Sequence, residues 1–221
     1  MKFETKEVWG FDYAVRGMRN PLVFWDKSDS YWGNDEYSPE SYVYVLGEND
    51  LALMQKLIKA SSGHRKFMRQ ICVLVDISAP LYWWKEFDTY KVGSVIYSYS
   101  TMHKLVNTSI TMDCFEMGDF ADSDEESNAY NLYTKSMWSK LIDHLEALRK
   151  EFNETKDKRY WKELIRILPE SWLQKRTIMM NYEDLLDMYK QIKNHILTEW
   201  SKLFVEWVKT LPYAEELVCV E

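Results

Sequence analysis

From Arg69 to Ser78 the chain reads RQICVLVDIS, and this run limits what the molecule can fold into more than any other segment. Ile71, Val73, Val75 and Ile77 alternate, and Cys72 and Leu74 between them are apolar as well. A β-branched run that is apolar at both parities predicts a strand buried on both faces. Pro80 predicts its end, because proline offers no amide hydrogen to a ladder. A strand of this kind needs cover on both sides, and the rest of the chain must supply it.

Helices are the main supply. Asn49 and Asp50 precede Leu51, Leu53, Met54, Leu57 and Ile58, which predicts a capped helix over residues 50 to 60, closed by Ser61-Ser62-Gly63. Pro80 sits where a helix through Leu81, Tyr82, Trp83, Trp84 and Phe87 would open, a position at which its missing donor costs nothing. Residues 2 to 16 alternate loosely through Val8, Trp9, Phe11, Tyr13 and Val15 and predict a half-buried strand. Residues 20 to 41 predict a loop, and Tyr42 to Leu46 a short strand. The acidic stretch DFADSDEESN at 119 to 128 predicts a solvated loop. Beyond it, apolar residues recur at three and four over 135 to 152, 156 to 168 and 181 to about 210, the spacing of core-facing helices. Strands and short helices first, long helices later, predict an α+β fold in a single domain spanning 1 to 221.

Composition excludes several classes of function. A formal net charge of -7 argues against binding a nucleic-acid polymer, which needs surplus Lys and Arg on one face, yet leaves room for a local cationic pocket. No segment approaches the roughly 20 apolar residues of a membrane helix. The opening MKFETKEVWG lacks the apolar run of a signal peptide, and Cys72, Cys114 and Cys219 are odd in number and far apart. These features predict a reduced, cytoplasmic protein without a disulfide framework. His64, His103, His144 and His195 show no metal-binding spacing, so no metal is expected. The few glycines form no phosphate loop, and a nucleotide would have to be held by side chains and helix ends.

The segment EFDTYKVGSVIYSYSTMHK, Glu86 to Lys104, concentrates hydroxyls and nitrogen donors. Its serines lack the context of a nucleophile elbow, which leaves a hydrolase triad unsupported. On the residues alone, Ser94, Ser98 and Ser100 read equally well as a polar loop capping a helix.

The order and spacing of these features resemble the flavin-dependent thymidylate synthases. That family carries a His at the head of a strand, an Ala-Pro pair after it, a helix with Gln-x-x-Arg-His-Arg, and then Glu-x-Ser-x-Arg-Tyr. Here His64 heads the strand, Ala79-Pro80 ends it, and Glu86-Phe87-Asp88-Thr89-Tyr90-Lys91 occupies the helix motif. Ser98-Tyr99-Ser100-Thr101-Met102-His103 falls on Glu-x-Ser-x-Arg-Tyr after one inserted residue. Arg166-Ile167-Leu168-Pro169 resembles Arg-x-x-Leu-Pro, Asn181-Tyr182-Glu183-Asp184-Leu185 resembles Asn-x-Arg-x-Leu, and His195 to Glu199 resembles His-Ala-Gln-x-Glu. Arg69 stands where the family has an acid, and Glu183 where it has an arginine.

The resemblance implies methylation of dUMP or a related pyrimidine nucleotide, with FAD, NADPH and methylenetetrahydrofolate, in a homotetramer whose sites lie between subunits. It puts Ser100 and His103 at the catalytic centre. It puts His64, Lys66, Tyr90, Lys91, Ser98, Asn181 and His195 at flavin positions, and Glu86, Thr89, Ser100, Met102, Arg166 and Gln191 at nucleotide positions. Several family arginines are replaced, by Thr89, Met102 and Gln191 among others, and an ammonium or amide lacks the planar fork of a guanidinium. Lys66, Arg69, Lys85, Lys91, His103, Lys104 and Arg166 are the cations left near the matched segments. The alternative is a catalytically inactive relative with a nucleotide-binding or regulatory role. A purely structural helical protein would leave the spacing from His64 to Lys91 unexplained.

Overall fold

The structure is a computed structural model. It describes residues 1–34, 42–90, 94–98, 100–117 and 129–220, with the backbone alone at Leu22, Thr101, Met102 and 129–131. All of the expected acidic loop, and Lys91, lie outside the described residues.

In chain order the first half holds β1 (Lys2–Trp9), α1 (Phe11–Arg19), β2 (Tyr31–Asn34), β3 (Tyr42–Val45), α2 (Glu48–Ala60), β4 (Cys72–Pro80) and α3 (Leu81–Phe87). There follow β5 (Val95–Ser98), α4 (Thr101–Asn107), α5 (Ala129–Thr155), α6 (Lys158–Ile167), β6 (Leu173–Asn181) and α7 (Tyr182–Ile192). A π-helical turn (Glu199–Phe204) leads into α8 (Val205–Lys209), and α9 (Ala214–Leu217) closes the chain. The α+β class expected from the sequence is what the chain adopts. One sheet has the order β1-β4-β6-β5, and β2 and β3 form a second, antiparallel pair. Among the described residues no helix is long and apolar enough to cross a membrane.

The strand expected over 2 to 16 is a strand and a helix. Gly10, at φ 95°, breaks it: a Cβ there would lie 1.9 Å from the Gln70 carbonyl oxygen. Beyond it Phe11, Ala14, Val15 and Met18 are buried on one face of α1, so the apolar positions that fitted a period of two serve a period of 3.6. The loop expected over 20 to 41 contains β2, whose Trp32 pairs with Tyr44. In β4, Val73, Val75, Ile77 and Ala79 are fully buried while Cys72, Leu74, Asp76 and Ser78 are half-buried, so its two faces are covered unequally. His64 does not head this strand: it sits in a turn before a 3-10 segment, Lys66–Gln70, that leads into it. The single helix expected from 181 to about 210 is broken between Ile192 and Glu199, where the His195 ring accepts the Leu197 amide and draws it out of helical bonding.

The chain forms two compact units, the division falling inside β4 and β6. Unit one holds Met1–Lys2, Ile77–Thr89 and Tyr97–Arg176; unit two holds Phe3–Asp76, Tyr90–Ile96 and Thr177–Glu221. In unit one α5 packs on α6 around Leu105, Phe115, Leu145, Leu164 and Trp172. In unit two Tyr182, Leu185 and Leu186 of α7, with Trp200 and Phe204, are fully buried, and Phe3 stacks on Trp207 at 4.8 Å. Asp50, fully buried on α2, accepts from Arg19 Nε at 2.6 Å, from the Ser28 and Ser30 hydroxyls, and from the amides of Asp29 and Ser30.

Candidate functional site

Unit one contains a cavity of about 640 Å3 built from three segments. The end of β4 contributes Ser78, α4 and its N-cap contribute Ser100, His103, Lys104 and Asn107, and Trp172, Gln174 and Lys175 come from the start of β6 and the residue before it. Residues 100, 103, 104 and 107 recur at three and four, which places them on one face of a short helix. Ser100 takes the N-cap place of α4, but among the described residues its side chain makes no capping bond, while its carbonyl accepts the Lys104 amide at 3.1 Å. The reading of Ser100 as a side-chain cap therefore fails, and its hydroxyl is left for the cavity.

Both charged lining residues are cations, Lys104 and Lys175, with His103 beside them. The Lys104 ammonium stands 5.5 Å from the centre of the Trp172 ring, an attraction between cation and π face that fixes its stem. Trp172 is itself clamped: it is 1% exposed and meets Phe115 edge to face at 5.5 Å. Gln174 is held from two sides, its carbonyl by Trp84 Nε1 at 2.9 Å and its amide oxygen by Arg176 Nε at 2.9 Å. Arg176 in turn bonds Asp88 and lies 4.3 Å from the Trp84 ring, and burial lowers its pKa from the usual value against the pull of Asp88. A rigid wall, two ammonium groups, an imidazole, amides and hydroxyls together make a site for a polar anion.

Of the other residues singled out in unit one, Ser98 is exposed at the end of β5. Thr89 donates to the Glu86 carbonyl at 2.7 Å, and Arg166 is exposed and paired with Glu163 at 3.2 Å. None of these four is among the described residues lining the cavity. Met102 lies on α4, and its side chain is outside the described residues.

In unit two, His64 Nδ1 shares a hydrogen bond with the Ser61 hydroxyl at 2.7 Å, and Lys66 is exposed. Tyr90 meets Trp200 edge to face at 5.9 Å, and Gln191 donates to the Asp187 carbonyl. Asn181 caps α7: its oxygen accepts the Asp184 amide at 3.0 Å and its nitrogen donates to the Asp184 carboxylate at 2.8 Å. Glu183 joins Arg65 and Arg69. Burial, and then the neighbouring Glu183 and Asp187 carboxylates, raise the Asp184 pKa to about 6. Among the described residues no group of His, Cys, Asp and Glu could hold a metal ion.

Ser100 and His103 were found from the resemblance, and Lys104 from the tally of cations. Asn107 was not, though it stands one turn beyond His103 on the same helix; nor were Ser78, Trp172, Gln174 and Lys175, brought together by the pairing of distant strands, of which the local sequence carries no mark.

No family model matches the chain, and no curated protein matches it. Among solved structures it is similar to the flavin-dependent thymidylate synthase ThyX from Helicobacter pylori complexed with FAD and dUMP, with a TM-score of 0.66 at 16% identity over 100% of both chains. A second structure of ThyX from Helicobacter pylori with FAD and dUMP gives a TM-score of 0.65 at 16% identity, covering 99% of this chain and 97% of the other. The chain thus has a ThyX-like fold along its whole length.

Proposed function

We propose that this is a flavin-dependent thymidylate synthase-like protein that binds dUMP or a related pyrimidine nucleotide in the cavity of unit one. The observation that carries the reading is the convergence of Ser100, His103, Lys104 and Lys175 on one cavity, in a chain whose whole-length structural likeness is to an enzyme complexed with FAD and dUMP. Lys104 and Lys175 take the phosphate, each charged hydrogen bond contributing about 1.5 to 3 kcal/mol. Asn107, Gln174 and the Ser78 and Ser100 hydroxyls orient the sugar and base. His103 holds or passes a proton at the base. By the same resemblance the protein works as a homotetramer, and its length and composition support a single domain that acts in the cytoplasm.

FAD, where bound, carries the redox work of methylation, with NADPH as reductant and methylenetetrahydrofolate as carbon donor. The residues that the resemblance assigns to it fit it poorly. Asn181 has its side chain turned to Asp184, and although Arg65 and Arg69 balance Glu183 and Asp187, the Asp184 carboxylate beside it adds a charge that a flavin pyrophosphate would meet as repulsion. Flavin would have to draw on other residues of the chain or of a neighbouring subunit. This observation favours the second reading, a relative that keeps the nucleotide site and has lost the reaction.

The absorbance spectrum of the purified protein separates the two. Flavin bands, with rescue of a thymidine-requiring strain, support the enzyme. A colourless protein that takes up no FAD on incubation and fails to rescue rejects it in favour of the nucleotide-binding relative.

A further inference from the structure

A second cavity, of about 320 Å3, lies wholly within unit two, and the pyrimidine-nucleotide reading makes no use of it. Its walls are aromatic: Tyr13 of α1, Trp32 of β2, and Tyr42 and Tyr44 of β3. The register of the β2–β3 pair sets Trp32 opposite Tyr44, and the indole stacks on Tyr42 at 5.8 Å and meets Tyr44 edge to face at 5.3 Å. These rings are not core. Tyr13 is 63% exposed, Trp32 50% and Tyr42 67%, a concentration of apolar surface that a soluble domain seldom leaves unused.

The charge on this cavity has one sign. Glu7 and Asp12 are the only charged residues among its described lining, and neither makes a hydrogen bond or ion pair among the described residues. The Tyr44 phenol registers the field: its pKa is raised by burial first and then by the negative charges of Asp50 and Asp12. An anion would be repelled here, and a neutral sugar or ring would leave two carboxylates without purpose. A cation with an apolar coat uses both features, since aromatic faces attract it through their quadrupoles and carboxylates through their charge.

We propose that this cavity binds the head group of a quaternary or methylated alkylammonium compound. Tyr13, Trp32, Tyr42 and Tyr44 form the cage, and Asp12 and Glu7 supply the counter-charge. An adjoining lobe of about 370 Å3 shares Asp12, Tyr13, Trp32 and Tyr44 and adds Trp25; Arg16 and Arg19, the latter paired with Asp50, line it too, so the cationic head stays in the first cavity and only an uncharged stem enters the lobe.

The probe is choline chloride, titrated into the full-length 15N-labelled protein at constant ionic strength and followed by the indole N–H cross-peaks. Its uncharged counterpart, 3,3-dimethylbutan-1-ol, serves as the control for shape. Choline is expected to shift, saturably, the cross-peak that Trp32→Phe removes, and the alcohol to bind at least about tenfold more weakly. Asp12→Asn, a change at a partly exposed position without a partner, is expected to raise the choline dissociation constant about fivefold while leaving the rest of the spectrum in place. Equal binding of choline and the alcohol, an unshifted Trp32 cross-peak, or an Asp12→Asn variant that binds choline like the parent would each overturn the proposal.

Discussion

Arg69 and Glu183 form an ion pair in which Arg69 donates through Nε to one oxygen of the Glu183 carboxylate while Arg65 Nε reaches the other at 3.2 Å. The resemblance to the thymidylate synthases places an acid where Arg69 stands and an arginine where Glu183 stands. The two departures thus fall on residues that pair with each other in this chain. Because Glu183 is 6% exposed, its charge depends on these guanidinium groups for compensation.

Replacing that carboxylate tests the pair. Glu183→Gln leaves Arg65, whose side chain is 16% exposed, with only the surface carboxylate of Asp187, at a cost of about 2 kcal/mol in a chemical denaturation experiment. The double reversal Arg69→Glu with Glu183→Arg is expected to recover part of that loss relative to Glu183→Arg alone. A double variant less stable than both single ones would show that the pair is not interchangeable.

Asp184 gives the fold a pH dependence of its own. Its folded pKa, raised from 3.8 to about 6 by burial and then by Glu183 and Asp187, means that the folded state holds this proton more tightly than the unfolded chain. The contribution of Asp184 to stability is then highest below pH 4 and falls as pH rises through 6. Asp184→Asn removes the penalty, so the variant should be more stable than the parent at pH 7.5 by about 1 kcal/mol, discounted for partial exposure. Thermal melts at pH 7.5 and pH 4 check it: the gain should shrink to nothing at the lower pH, and a gain of equal size at both would sink the assignment.

The Asp50 hub behaves in the opposite sense. Burial acts to raise its pKa, but the hydrogen bonds from Ser28, Ser30 and Arg19 outweigh it and hold the carboxyl below its usual value. Its stabilising effect is therefore present at neutral pH and is lost as pH falls through the lowered value. Asp50→Ala leaves the Arg19 guanidinium buried without its counter-charge and should cost about 3 to 5 kcal/mol at pH 7 in urea unfolding. A loss below about 1 kcal/mol would mean that the loop from Ser28 to Ser30 is held by other contacts.

Legibility varied along the chain for physical reasons. β4 is legible because it is apolar at both parities, a pattern that few other structures produce. β6 is not, because Gln174, Lys175, Arg176 and Thr177 carry no local strand signal: Arg176 owes its place to Trp84 and Asp88, and Thr177 donates to Asp76 at 2.7 Å. The end of β1 is misread because Phe11 and Val15 satisfy both periods until Gly10 turns the chain. The site splits in the same way. Ser100 and His103 come from one continuous segment that a motif can reveal, whereas Ser78, Gln174 and Lys175 are brought to it by the pairing of distant strands. The capping role of Asn181 is written locally, in an Asn followed three residues on by Asp184, and it shows how a motif position can carry a structural duty.

The most direct measurement is a calorimetric titration of dUMP into the parent protein and into Lys104→Met and Lys175→Met, with deoxyuridine as the control that lacks the phosphate. Ser100→Ala accompanies them as a variant that leaves the fold intact, since its hydroxyl is not used as a cap. Saturable binding of dUMP, at least about tenfold tighter than deoxyuridine and weakened about tenfold by either lysine substitution, is the predicted result. Equal affinity for dUMP and deoxyuridine, or lysine variants that bind dUMP as the parent does, would contradict a phosphate held by Lys104 and Lys175 in this cavity.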